Sequence, residues 1–135
     1  MPRSIITDSS TLVAFISRDD QYHGWIAAYA ASLAPPWLTC EPAMTEAFHL
    51  VGGKGAPKFK DLLRRGAVVL SFSLRDELEP VLALMDKYAD VPMSLADACL
   101  VRMSETLPDP VVVTTDADFK IYRRHSRQVV PCLMP

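Results

Sequence analysis

Short β-branched apolar runs alternate along this chain with longer stretches of helical periodicity, and that alternation restricts the folds open to it. Ser4-Ile5-Ile6-Thr7, Trp37-Leu38-Thr39-Cys40, Ala67-Val68-Val69-Leu70 and Val111-Val112-Val113 each have the length and composition of a strand. Strands this short, separated by helix-length segments, predict an α/β domain of three layers, α/β/α, with a central, mostly parallel sheet covered on both faces. Gln128-Val129-Val130 is predicted to return as an edge strand. At 135 residues the chain fits a single domain, spanning 1–135, with enough length to bury one substantial core.

The intervening segments carry their own start and stop signals. Ser9 and Ser10 supply cap chemistry before Leu12, Val13, Phe15 and Ile16. Asp19 or Asp20 can cap a second helix whose stripe runs through Tyr22, Trp25, Ile26, Tyr29 and Leu33, ended by Pro35-Pro36. Pro42 can open a third, through Ala43, Met44, Ala47, Phe48 and Val51, with Glu46 in its early turns. Gly52, Gly53 and Gly55 then predict a break before a short helix holding Phe59, Leu62 and Leu63. Leu78–Met85 is helical in composition provided Pro80 sits near its first turn. Ser94 caps a helix through Leu95–Met103, which makes Asp97 its third residue. A short helix is expected after Asp116.

The acidic residues at these junctions carry the chemical signal. Asp8 follows the Ile-Ile strand, Asp116 and Asp118 follow the triple valine, Asp97 lies in a helical first turn, and Glu46 lies among Ala43, Ala47 and Phe48, where an inward-facing role is open to it. Ligands of open α/β sheets bind at the carboxyl ends of the strands, so two strand-end aspartates invite a shared site. Each acid also has a structural role open to it: a helix cap for Asp8 and Asp118, a favourable helix-dipole position for Asp97, a solvated face for Glu46. Asp90 suits a loop-ordering role before Pro92. If the carboxylates converge, each ionised pair at about 5 Å costs roughly 3 kcal/mol at an effective dielectric near 20. A divalent cation or bound protons must then relieve the repulsion. Oxygen donors suit magnesium or manganese, and the scattered Cys40, Cys99, Cys132, His23, His49 and His125 show no zinc spacing. Ser9, Ser10, Thr114 and Thr115 are placed to position water or phosphate, or simply to cap helices.

Charge and composition narrow the partners. A net charge of -2 argues against a generally basic nucleic-acid-coating protein. Any polyanion must rely on local patches, of which there are two: Lys54, Lys58, Lys60, Arg64 and Arg65, then Lys120, Arg123, Arg124, His125 and Arg127. Three widely spaced cysteines are expected to be small buried hydrophobes in a reducing compartment. MPRSIITDSS is too short in apolar residues for a signal peptide, and Pro35-Pro36 stop the apolar run after Trp25 well below a membrane span. The expected location is the cytoplasm. There is no glycine-rich dinucleotide loop and no Walker sequence.

Four segments together resemble the PIN-domain ribonucleases, especially the VapC toxins of bacterial and archaeal toxin–antitoxin pairs. They are Ile5-Ile6-Thr7-Asp8-Ser9-Ser10, Thr45-Glu46, Tyr88–Ala98 and Thr114-Thr115-Asp116-Ala117-Asp118-Phe119, whose order covers nearly the whole chain. The resemblance implies that Asp8, Glu46, Asp97 and Asp116 form a catalytic metal-binding quartet, with Asp118 as an additional acid supporting the metal. It implies an endoribonuclease using magnesium or manganese to cut single-stranded regions of RNA, leaving a 5′ phosphate and a 3′ hydroxyl. It also implies a homodimer or toxin–antitoxin hetero-oligomer, silenced by a cognate VapB-like antitoxin whose tail enters near the active site, with the second and fourth helices forming parts of those contacts. Pro80 is a local departure within an expected helix. From the residues alone, a metal-dependent phosphohydrolase and a non-enzymatic receiver-like or RNA-binding regulatory domain stay open.

Overall fold

A computed structural model describes residues 2–135. Five strands form a wholly parallel sheet: β1 (Ser4–Thr7), β2 (Trp37–Thr39), β3 (Val68–Leu70), β4 (Pro110–Val113) and, after a small hairpin, β7 (Cys132–Leu133), in the order β3-β2-β1-β4-β7. The hairpin pairs β5 (Arg123–Arg124) with β6 (Gln128–Val129) antiparallel, apart from the main sheet. The expected edge strand at 128–130 is therefore displaced: Gln128 and Val129 belong to the hairpin, and Cys132–Leu133 takes the edge beside β4.

Five helices cover the sheet: α1 (Ser9–Ile16), α2 (His23–Ala30), α3 (Glu41–Arg64), α4 (Leu78–Lys87) and α5 (Leu95–Thr106), with a 3-10 turn at Ala117–Lys120. The period of two in the strands sorts their side chains between two cores. Ile5, Val111 and Val113 pack with Leu12, Ile26, Met44 and Phe59 beneath α1, α2 and α3. Ile6 and Val112 pack on the opposite face with Val81, Leu100 and Met103 beneath α4 and α5. Every residue of β1 and β4 is buried, which is why these two runs lack the polar alternation of a half-exposed strand. Complete burial of Ile6 or Val112 contributes about 1.5–3 kcal/mol each relative to exposure.

Local sequence explains most helix limits. Pro80 is the third residue of α4, where its missing N–H has no helical acceptor to lose, so the helix runs intact. α2 starts later than Asp19 or Asp20 because the Asp20 carboxylate is occupied in a turn, accepting from Tyr22 N–H at 2.8 Å. The expected break in α3 occurs at Gly52 alone, with φ 63° and ψ -164°, and Gly53 and Gly55 continue the second half. A Cβ on Gly55 would lie 2.5 Å from Val51 Cβ, so the bend also demands a residue without one there. Among the described residues, no helix is long and apolar enough to cross a membrane.

The strand order fixes where a site can form. Connections from β1 lead outward through β2 to β3, then return past β1 to β4, so the winding reverses between β1 and β4. At such a switch point the loops leaving adjacent strands diverge and open a crevice at their carboxyl ends. Asp8 leaves β1 there, and the Thr114–Asp116 segment leaves β4 beside it.

Candidate metal centre

Asp8, Asp97 and Asp116 converge at this crevice, each offering a carboxylate oxygen within 4.8 Å of the others. Three separate helical starts position them. Asp8 is the N-cap of α1 and accepts from Ser9 N–H at 2.6 Å, taking the cap role expected of the serines. Asp97 is the third residue of α5, and its backbone N–H donates to the capping hydroxyl of Ser94 at 3.0 Å. Asp116 caps the 3-10 turn, its Oδ1 accepting from Asp118 N–H at 2.9 Å. The partial positive charge at helix N-termini favours carboxylates here, which helps the fold hold three acids close together.

Hydroxyl groups fix the carboxylates further. Thr114 donates to Asp8 Oδ2 at 2.7 Å and accepts from Asp116 N–H at 3.0 Å, bridging two of the acids. Ser10 lies 3.5 Å from Asp8 Oδ2 and accepts from Thr115 N–H at 3.3 Å, joining α1 to the β4 loop. Tyr122, fully buried, donates to Asp97 Oδ2 at 2.8 Å. Nothing near Asp97 in the sequence announces this contact, and the one available hint is the i, i+3 spacing of Phe119 and Tyr122 after Asp116.

Glu46 and Asp118 stand outside the triad. Glu46 is on the exposed rim of α3, tied to the centre by the Ser9 hydroxyl, which donates to its Oε1 at 2.6 Å. Asp118 is half-buried in the 3-10 turn and contributes its backbone N–H to Asp116. His49 and His125 are exposed, and His23 Nδ1 pairs with the Ala14 carbonyl at 2.8 Å. Cys40 and Cys99 lie buried in one core beside each other, and Cys132 is half-buried. Asp90 is exposed in the turn before Pro92.

Crowding and burial disturb the ionisation of the cluster. Burial raises Asp8 above the usual carboxylate range, the Thr114 and Ser9 hydrogen bonds oppose this, and Asp116 and Glu46 add to the rise by repulsion. Asp97 is raised to about 6, mainly by burial, with Tyr122 opposing and Asp8 and Asp116 reinforcing. Burial and the Asp97 carboxylate both push the Tyr122 phenol upward, so it stays a proton donor. Among the described residues, the ion pairs are Arg65 with Asp61 and Arg102 with Glu77 and Glu105, and none neutralises the triad. An uncompensated set of hard oxygen donors at this spacing fits a divalent cation such as Mg2+ or Mn2+.

The basic stretches divide between structural and free roles. Arg123 donates to the carbonyls of Lys120, Ile121 and Tyr122, and Arg124 donates to the Ser104 carbonyl, so both guanidinium groups hold the hairpin in place. Lys120 and Arg127 are exposed. Lys58 donates to the Ile16 carbonyl at 3.2 Å, closing the C-terminal end of α1. Beside it a recess of about 590 Å³ is lined by Arg18 and Lys58 and by the Arg65–Asp61 ion pair. This recess lies at the far end of α1 from Asp8, about 12 Å along the helix axis.

No protein-family model and no curated protein sequence matches the chain.

Proposed function

We propose that this protein is a divalent-metal-dependent endoribonuclease, the toxin component of a toxin–antitoxin pair, with a PIN-like domain. The observation that carries this reading is the convergence of Asp8, Asp97 and Asp116 within 4.8 Å at the switch point of a parallel sheet, with no cationic side chain paired to them among the described residues. The sequence resemblance supplies the reaction class. Its most specific segments, Tyr88–Ala98 and Thr114–Phe119, contain two of the three clustered acids.

In this mechanism Asp8, Asp97 and Asp116 would hold Mg2+ or Mn2+. When bound, such a cation neutralises charge on the phosphodiester and makes water a better nucleophile at neutral pH. Thr114 and Ser10 keep the Asp8 carboxylate from rotating. Ser9 holds Glu46 at the rim, where its carboxylate orients the attacking water and receives its proton. Asp118 keeps Asp116 in place through its N–H and adds negative charge at the margin. Arg18, Lys54 and Lys58 at the other end of α1, with Lys120 at the end of the 3-10 turn and Arg127 in the hairpin loop, give a single RNA strand phosphate contacts beyond the cluster. In-line attack by that water breaks the P–O3′ bond, leaving a 5′ phosphate and a 3′ oxygen that takes a proton from solvent to become the 3′ hydroxyl. A homodimer and a VapB-like antitoxin complete the proposal as partners.

The test is to incubate wild-type and Asp97→Asn protein with total RNA in Mg2+, in Mn2+ and in EDTA, and to map the ends produced. Cleavage by the wild type in either metal, abolished by EDTA and by the substitution, supports the assignment. Faster turnover of small phosphate esters than of RNA would instead favour a phosphohydrolase. RNA binding without cleavage across the metal titration would favour a regulatory domain. Co-purification with the product of a small adjoining reading frame tests the antitoxin.

A further inference from the structure

The segment from Asp116 to Tyr122 is a single rigid unit that touches the acidic centre twice. At its start Asp116 caps the 3-10 turn through Asp118 N–H. Within it, Phe119 N–H donates to the Asp116 carbonyl at 3.2 Å, and Tyr122 N–H donates to the Asp118 carbonyl at 3.2 Å. At its end the Tyr122 hydroxyl reaches across to Asp97 on α5 at 2.8 Å. The ring cannot swing away, because it is held edge-on between Phe119 and Tyr88, each with its centroid 5.2 Å distant, and is itself 0 % exposed. The Tyr88 hydroxyl itself is engaged elsewhere, accepting from Arg123 N–H at 2.9 Å.

The geometry points to Tyr122 as a positioning residue for the metal ligands: its phenol locks the carboxylate plane of Asp97 and sets the distance between Asp97 and Asp116. This rests on the metal-centre assignment above and goes further, by naming the group that determines the ligand spacing. A carboxylate on the first turn of a helix otherwise rotates freely about its terminal torsion. With Oδ2 engaged by a donor that cannot move, the remaining lone pairs of Asp97 keep one direction, toward the crevice. The unit 116–122 thus carries one ligand and orients another, so the two cannot drift apart independently. Groups that hydrogen-bond a metal-ligating side chain typically change metal affinity by about 10–100-fold when removed.

The experiment measures Mn2+ binding directly by calorimetry, with no RNA present, for wild type, Tyr122→Phe, Tyr88→Phe and Asp97→Asn. Tyr122→Phe keeps the packed ring and removes only the hydroxyl, and Tyr88→Phe removes the other hydroxyl of the same aromatic cluster. The expected result is Mn2+ affinity weakened about tenfold or more by Tyr122→Phe, unchanged by Tyr88→Phe, and not weakened further when Tyr122→Phe is added to Asp97→Asn. Equal losses from both tyrosine variants would assign the effect to general packing and overturn the proposal, as would a Tyr122→Phe affinity within twofold of wild type. Absence of Mn2+ binding by the wild type would overturn the metal centre itself, an outcome distinct from either of these. Thermal midpoints in EDTA show whether each variant folds. Should Tyr122→Phe not fold, the ultraviolet difference spectrum of the wild type on adding Mg2+ decides: a perturbed buried tyrosine supports the role, and a flat spectrum overturns it.

Discussion

Replacing Asp97 by Asn should make the metal-free protein more stable while weakening its response to metal. The three carboxylates approach within 4.8 Å, a spacing at which each fully ionised pair is worth about 3.5 kcal/mol at an effective dielectric near 20. Asp97 takes part in two of those pairs. Its rise from 3.8 to about 6 corresponds to about 3 kcal/mol of disfavoured ionisation at neutral pH. Because Asp97 is partly open to water, screening reduces the usable figure to about 1–2 kcal/mol. Asn still accepts the Tyr122 hydrogen bond, and losing a charge near the start of α5 costs about 0.3–1 kcal/mol. The net gain is about 1 kcal/mol, or about 3–4 °C in melting midpoint for a domain of this length.

The pH dependence has a definite sign. The folded protein holds a proton on Asp97 more tightly than the unfolded chain does, so protonation favours the fold below about 4, and that advantage disappears as pH rises through about 6. The variant should therefore exceed the wild type in EDTA at pH 8, and the difference should close by pH 4. Adding Mg2+ or Mn2+ at pH 8 should reverse the ranking, because only the wild type keeps the full ligand set. Differential scanning fluorimetry at both pH values, with EDTA and with metal, provides the test. A variant less stable than wild type in EDTA at pH 8, or a difference independent of pH, would refute electrostatic strain at this site.

Asp8→Asn and Asp116→Asn should each lower metal-dependent RNA cleavage by about 100-fold or more while leaving the far-ultraviolet dichroism unchanged, since each removes one corner of the triad. Thr114→Val should cost about 1–3 kcal/mol in urea denaturation at pH 8, because buried Asp8 loses its hydroxyl donor. That cost should shrink in acid, where Asp8 carries its own proton, and an equal cost at both pH values would contradict the assignment. Gly52→Ala should destabilise by about 1–3 kcal/mol in the same assay, since φ 63° and ψ -164° suit a residue without a side chain. A neutral result would mean that α3 can straighten.

How much of this was legible in the residues depends on where the determining forces act. β1 and β4 were readable because strands buried on both faces need uninterrupted apolar runs, and Ile5-Ile6 and Val111–Val113 supply them. Asp97 was readable as the third residue of α5 because Ser94 is a local cap signal. The edge strand was not, because Cys132 and Leu133 become a strand only through pairing with Val112 and Val113, a contact absent from their own neighbourhood. Likewise, the charge pattern around Arg123 and Arg124 gave no sign that backbone carbonyls would occupy both side chains. The hydroxyl of Tyr122 lay beyond reach for the same reason: its acceptor is 25 residues away on α5.

The placement of β1 in the middle of the sheet has a consequence for how such a protein comes into being. The first strand made is flanked on one side by β2, but its other neighbour, β4, begins only at Pro110. A growing or prematurely terminated chain that stops short of this point has an open edge where the crevice should be, and it lacks Asp116 altogether. The acidic triad is therefore complete only once the segment from Pro110 onward has paired beside β1, so that incomplete products of translation cannot assemble it.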